Sequence, residues 1–353
     1  MVRLFIGSMS QFAGKSLLSI GLGKIFKNKG LRIGYIKPLG KDPVRIKGRI
    51  ADSEAVLIKD ALELEDDYEM VSPFVFDFEM MRRAITKKTE LSADVIKAIK
   101  EIKGRDIVLI EGASNIFDGS IVGANALDIV KAVNAKVLMV EPWKGEDTIN
   151  EILGTAHILG KRFIGAVINM VPPVETDYLR KTVKPFLRRK GVNVFGVIKK
   201  DTVLGSVSIR QLKTALNGKV LCCENRLDEL VEHYLVGAMD VSNALKYFRR
   251  TPNKAVLTGG HRSDIQLAAL ETSTKCLILT GGIYSNDVIL SRAEATGVPV
   301  ISVNLDTFSA VKKIESTIGK THLKEPAKLK RAYSVVRGSI DFKALSGILG
   351  LHI

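Results

Sequence analysis

An α/β fold, a mostly parallel sheet with helices on both faces followed by a smaller α/β unit, is what the sequence predicts, and three observations predict it. Short Val/Ile/Leu runs alternate with amphipathic segments nearly to the end of the chain, the pattern of parallel strands joined by crossover helices. The 353 residues exceed what a single hydrophobic core usually organises. A glycine-containing loop directly follows the first apolar strand and directly precedes an amphipathic helix, the strand-loop-helix unit common in this class.

In the first part the apolar runs place strands at residues 3–7, 32–37, 106–111, 135–141, 163–169 and 192–198, with helices filling most of the gaps. Between 66 and 91 the pattern breaks into the turn-like Ser72-Pro73 and mixed segments such as Phe74-Val75-Phe76, as expected of a loop lining a site. After Lys199-Lys200-Asp201 the rhythm passes through Gly205-Ser206, which sets a first domain at 1–203 and a second at 204–320. There the expected strands are 220–222, introduced by Asn217-Gly218, then 255–258, 276–280 and 298–303. Helices are expected to begin near Arg226, Asp240, Ser263, Asn286 and Asp306. Residues 321–353 read as a basic tail, irregular from 321 to 337 and with one short helix at 341–349.

Composition narrows the function classes. With 46% hydrophobic and 26% charged residues the chain is globular, and no apolar run is long enough to span a bilayer. The N-terminus lacks the order of a secretory signal, so a cytoplasmic protein without a membrane partner is expected. Cys222, Cys223 and Cys276 have neither metal-ligand spacing nor a geometry suited to bridging, so free thiols are expected. The balance of 53 basic to 38 acidic residues, +15, permits a polyanionic partner. Aromatic residues are only 6% and no nucleic-acid-binding motif is present, so the charge points to solubility and phosphate ligands rather than nucleic acid.

The segment that carries chemistry is Gly7-Ser8-Met9-Ser10-Gln11-Phe12-Ala13-Gly14-Lys15-Ser16. In a phosphate-binding loop the backbone amides and the helix N-terminus cradle anionic oxygens, the lysine reaches the terminal phosphates and the hydroxyl ligates Mg²⁺. Gly7, Gly14, Lys15 and Ser16 take these positions, although the motif's first glycine is replaced by Met9 and the upstream glycine is Gly7. A magnesium site also needs carboxylates. Glu111 ends the apolar run 107–110 and is expected at the carboxyl end of its strand, whereas Asp106 at the other end is structural. Asp52 in Ala51-Asp52-Ser53-Glu54 is equally a metal ligand or a helix N-cap.

The second part contains an internal echo. Thr258-Gly259-Gly260 and Thr280-Gly281-Gly282 each end a strand and lead toward a helix cap, Ser263 or Asn286. Two such turns side by side would gather backbone amides at the carboxyl ends of neighbouring strands, where open α/β sheets bind ligands. Glycines needed only for the turns are the alternative.

The loop, the segment Gly34-Tyr35-Ile36-Lys37-Pro38, Ala51-Asp52-Ser53, Ser72-Pro73-Phe74 and Ile110-Glu111-Gly112-Ala113 together resemble the dethiobiotin-synthetase-like branch of P-loop NTPase-like proteins over most of residues 1–200. Gly259-Gly260-His261-Arg262-Ser263-Asp264 resembles the signature of the DRTGG domain, with His261 where an aspartate is usual. This pairing resembles stand-alone relatives of the N-terminal region of long phosphotransacetylases. The resemblance implies ATP and Mg²⁺ bound by Lys15 and Ser16, an acidic pair Asp52 and Glu111 on the metal, Lys37 beside the transferred phosphate, and Asn169 at the adenine. It also implies a homodimer and a small metabolite near Thr258, Gly259, Gly260, His261, Arg262, Thr280, Gly281 and Gly282. Two functions compete. One is a regulatory nucleotide-binding protein linked to acetyl-phosphate and acetyl-CoA metabolism, without phosphotransacetylase activity. The other is an ATP-dependent ligase acting on a carboxylate or carbamate, for which Lys15 and Lys37 would be catalytic. A polymerising or membrane-cycling ATPase would carry an additional lysine early in the loop, which here has only Lys15.

Overall fold

The computed structural model describes residues 1–87, 89–282, 286–318, 323 and 325–351. It divides into two compact units, Met1–Lys200 with His322–Ile353, and Asp201–Thr321.

The first unit is built on six parallel strands. With the strands numbered in chain order, they are β1 (Val2–Gly7), β2 (Ile33–Ile36), β3 (Ile107–Glu111), β4 (Lys136–Pro142), β5 (Phe163–Val171) and β6 (Val194–Lys199), in the order β6-β5-β4-β1-β3-β2. Both faces are covered, which is why the strands read as apolar runs without alternation. Phe5, Val108, Ile110, Val137, Met139 and Ile168 lie in one core, and Leu4, Ile6, Leu109, Leu138 and Val140 are equally buried. The chain reverses direction across the sheet at β1, so the loops after β1, β3 and β4 converge at one edge, the place where such sheets bind ligands. The N-terminal end of β3 is pinned by Asp106, which accepts hydrogen bonds from Arg32 Nη2 at 2.9 Å and from the Arg32 backbone at 2.8 Å. The two Arg32 bonds hold the Asp106 carboxyl down at about 2.

Two pieces of this unit differ from the sequence expectation. Residues 66–91 are not one loop: they contain short helices at Tyr68–Val71 and Phe78–Lys87 and a two-residue strand, Phe74–Val75, paired with Leu39–Gly40. The tail is not a separate segment either. Helix Pro326–Ser339 lies against helix α1 (Lys15–Asn28) so closely that a Cβ on Gly21 would stand 2.4 Å from Val336 Cβ. Ile340 bridges Gly196 of β6, and the Phe26 and Phe342 rings meet at 5.1 Å. The helix starts as helices do, with Pro326 directly after its cap residue Glu325. Its buried stripe is Lys328, Ala332 and Val336, four residues apart; a lysine in that stripe among other basic residues hides the periodicity. The expected limit between 320 and 321 lies outside the described residues.

The second unit is a five-stranded sheet. Strands β8 (His233–Val236), β9 (Lys254–Gly259), β10 (Thr274–Thr280) and β11 (Val300–Ser302) run parallel, and β7 (Lys219–Cys222) pairs antiparallel with β11 at the edge. The helix expected near Arg226 is only a single turn, Glu224–Arg226. Strand β8 follows it, as the aromatic and branched residues of His233-Tyr234-Leu235-Val236 favour. Helix Ile209–Leu216 was not expected. Its signal is a capping box in which Ser208 and Gln211 satisfy each other's backbone amides. Cys222 and Cys276 are buried free thiols and Cys223 is a partly buried one. No described helix is long and apolar enough to cross a membrane.

Packing of the C-terminal helix on α1 predicts that Gly21→Leu, which drives a side chain into Val336, lowers the stability of the first unit by about 1–3 kcal/mol. Urea unfolding followed by fluorescence of Trp143, the single tryptophan and a residue of that unit, measures this. An unchanged midpoint would show that the helix does not pack there.

Candidate functional site

The site grows from the turn after β1. Gly14 sits at the N-terminus of α1 with φ +110°, a left-handed conformation that favours glycine, and a Cβ there would lie 2.3 Å from Asn169 Nδ2. The loop is thereby pressed against the end of β5. Asn169 donates through Nδ2 to Ala13 O at 2.8 Å and accepts from Met170 N through Oδ1, so its amide ties the phosphate loop to the far strand. Trp143, on the segment after β4, donates its backbone N–H to Asn169 O and its indole N–H to Glu175 at 2.6 Å.

Lys15 folds back over its own loop. Its Nζ donates to Ser8 Oγ at 2.8 Å and to Ser114 O at 3.0 Å. Burial lowers its pKa, against the pull of Glu111 and Glu54. Gly7 ends β1, and a Cβ on it would come within 3.0 Å of Met139 Sδ.

Glu111 closes β3 with no exposed surface. Its Oε1 accepts from Ser16 Oγ at 3.0 Å and its Oε2 from Ser19 Oγ at 2.6 Å. Burial still raises its pKa, the charge of Lys37 acting the other way. Lys37 comes from just beyond β2. Its Nζ lies 2.9 Å from Asp52 Oδ1, 2.5 Å from Glu54 Oε2 and 3.9 Å from Glu111 Oε1. Burial alone would discharge this ammonium, but Glu54, Glu111 and Asp52 outweigh it and its pKa is raised.

Asp52 is held as tightly. It caps helix Ser53–Ala61, with Oδ1 accepting from the amides of Glu54 and Ala55 as well as from Lys37. Its Oδ2 accepts from the amides of Lys41 and Asp42. Five donors fill the roughly four lone-pair positions of a carboxylate. Burial pushes the Asp52 pKa up, and Lys37 with those amides brings it below the ordinary value.

Lys15, Ser16, Lys37, Asp52 and Glu111 therefore meet at the carboxyl edge of one sheet, and Asn169 abuts the loop from the far side. Sequence reasoning missed Glu54, a second carboxylate on Lys37, and Glu141. The latter ends the apolar run of β4 just as Glu111 ends that of β3, and this parallel is the signal that could have found it. Glu141 has no exposed surface, and its Oε1 accepts from Met9 N at 2.5 Å.

These residues fit a nucleotide phosphate group and a hard cation. A left-handed glycine beside backbone amides at a helix start is a phosphate cradle. Ser16 and Glu111 form an oxygen-only donor pair. Mg²⁺ takes such donors from a protein, one or two carboxylates completed by water and phosphate.

In the second unit the echoed turns lie side by side, Thr258 opposite Leu279 and Gly259 opposite Thr280. Three of their amides bond carbonyls of the same fold. Gly260 N donates to Thr280 O, Gly281 N to Leu305 O and Gly282 N to Val303 O. Gly281 and Gly282 have φ of +88° and +68°, so the turns themselves require glycine. Thr258 Oγ1 donates to Gly237 O, and Thr280 Oγ1 shares a hydrogen bond with Thr307. Arg262 pairs with Asp264 and reaches Met239 O, and the exposed His261 ring lies over Gly259.

With this geometry in hand, comparison with known proteins is direct. The chain is 22% identical to the phosphate acetyltransferase of Synechocystis sp., over 98% of this chain and 51% of that protein. It is 26% identical to the ATP-dependent dethiobiotin synthetase BioD of Methanococcus vannielii, over 56% of this chain and 94% of that protein. The chain thus spans about half the length of the phosphate acetyltransferases it matches. Among solved structures, the CBS and DRTGG domains of the regulatory region of Clostridium perfringens pyrophosphatase, complexed with diadenosine tetraphosphate, share 18% identity over 46% of this chain and 78% of that one, with a TM-score of 0.29. Residues 211–317 match the DRTGG domain and residues 2–208 the AAA domain. A P-loop nucleotide-binding domain followed by a DRTGG domain is the architecture, and the chain belongs to the AAA domain family.

Proposed function

We propose that the first unit binds Mg-ATP and that the protein serves a regulatory or ligand-sensing role linked to acetyl-phosphate and acetyl-CoA metabolism. The observation that carries this reading is the convergence of Lys15, Ser16 and Glu111 on the loop at the left-handed Gly14. Lys15 now donates to a hydroxyl and a carbonyl, both neutral, and phosphate oxygens would replace them with stronger charge-assisted bonds. Ser16 and Glu111 would hold the cation, which when bound neutralises charge between the terminal phosphates. Asp52, its lone pairs filled, orients Lys37 and the start of its helix. The metabolic link rests on the relation to phosphate acetyltransferases. Nucleotide, a small metabolite at the second unit and a second copy of the chain are the partners in this reading, in the cytoplasm.

A second reading is favoured by Lys37. Binding alone needs no second ammonium beside the phosphate site, whereas an ATP-dependent ligase that phosphorylates a carboxylate or carbamate uses one against the charge of the moving phosphoryl group. The relation to dethiobiotin synthetase supports it. ADP release from Mg-ATP, dependent on added bicarbonate or a carboxylic acid, would establish the ligase; ATP bound without turnover under any of these conditions leaves the regulatory role.

Two substitutions test the site. Lys15→Ala is expected to weaken Mg-ATP binding at least about tenfold in calorimetric titration, the usual worth of a hydrogen bond to a charged group; wild-type affinity in the variant would refute the phosphate site. Lys37→Met removes the cation beside the buried Asp52 and should lower stability by about 3 kcal/mol at pH 7. Because Lys37 helps hold the Asp52 pKa below its ordinary 3.8, that contribution is present above this value and fades as pH falls below it. Chemical denaturation at pH 7 and pH 3 should show the deficit shrinking at the lower pH, and an equal deficit at both would rule out the ion pair as its source.

A further inference from the structure

Glu141 has no task in the reading above, yet it sits beside the phosphate loop with one of its oxygens unpartnered among the described residues. It is fully buried, its Oε1 accepts the Met9 N–H at 2.5 Å, and its Oε2 has no hydrogen-bond partner among the described residues. Met9 stands where the phosphate-loop motif has a glycine. The loop itself, Met9-Ser10-Gln11-Phe12, carries no acidic residue, and the fold brings one to it from β4.

Resting on the nucleotide-binding reading, we propose that Glu141 is a positioning residue of the phosphate loop, holding the Met9 N–H and with it the loop backbone as a neutral carboxylic acid. A carboxylate at this place would set a buried negative charge against incoming phosphates. The groups that face Glu141 fit the neutral form. Burial pushes its pKa up to about 8, with Glu151 adding to the effect; Met9 N–H, Lys144 and Lys15 act in the other direction. Lys144 offers limited compensation because it already bonds Glu151 Oε1 at 2.6 Å and Ser10 Oγ at 3.0 Å. Lys15 is engaged by Ser8 and Ser114. In this role Glu141 is the neutral acid at neutral pH and loses its proton only at higher pH, the direction in which burial moves it.

The test is calorimetric titration of Mg-ATP into the full chain, wild type, Glu141→Gln and Glu141→Leu, between pH 6.5 and 9.5. Wild-type affinity should hold below pH 7 and fall above 8, approaching tenfold per pH unit. Glu141→Gln keeps an acceptor for Met9 and cannot ionise, so it should match the wild type at pH 7 and lack that fall. The nucleotide's own titration is common to both proteins. Glu141→Leu removes the acceptor and should bind at least about tenfold more weakly than Glu141→Gln at every pH, and than the wild type below pH 7. Coinciding pH profiles of wild type and Glu141→Gln, or wild-type affinity in Glu141→Leu below pH 7 whatever its thermal stability, would overturn the positioning role alone. No binding by the wild type at any pH would overturn the nucleotide reading and this role with it. If Glu141→Leu does not fold, the comparison of wild type with Glu141→Gln decides the matter.

Discussion

Burying charge at the carboxyl edge of a parallel sheet is the constraint on which the first unit depends. An isolated ion there costs several kcal/mol, so each charged group must be matched or neutralised. Lys37 is matched by Asp52 and Glu54, and Asp52 in turn by four backbone amides. Glu111 is matched by two hydroxyls of α1, one on the first turn and one on the second. The short strands and helices around 40–75 exist in this arrangement to deliver those amides and the Ser72 hydroxyl that receives the Asp52 N–H. A site assembled this way is preorganised, because its ligands are already fixed by the groups that make their burial tolerable.

The same edge shows how differently two acids at equivalent strand ends can be treated. Glu111 and Glu141 each close an apolar strand flanking β1, and each is wholly buried. Glu111 meets two hydroxyl donors and lies 3.9 Å from an ammonium; Glu141 meets one backbone amide. Burial raises the pKa of both, and what differs between them is the set of donors each meets.

Stability of the first unit has a remote component. Helix α1, which begins at the phosphate loop, is flanked along its Gly21 side by the helix Pro326–Ser339. Gly21 allows that approach, and Asp341 N–H bonds the Phe195 carbonyl beyond it. The element that carries Lys15 and Ser16 is therefore supported by residues more than three hundred positions away. In the second unit Gly260, Gly281 and Gly282 donate their amides to carbonyls of the same fold, which holds the two turns side by side.

Local pattern was enough to place every strand of the six-stranded sheet, since a strand buried on both faces must be an apolar run and a phosphate loop must follow one. The loop residues were legible from their spacing after a strand and Glu111 from its place at the end of an apolar run, whereas Lys37 entered through the resemblance to dethiobiotin-synthetase-like proteins. The pairing that gives Asp52 five donors was not legible, because four of them are amides whose direction depends on a hairpin and a helix start. Helix Pro326–Ser339 was hidden by its basic composition, and its burial became evident only when Val336 met a glycine distant in sequence. Periodicity and motif spacing are properties of neighbours along the chain, and they fix the strands of the first sheet and the position of the phosphate loop. Charge state, hydrogen-bond saturation and the seat of the C-terminal helix depend on groups that meet only through the fold, so only the tertiary structure decided them.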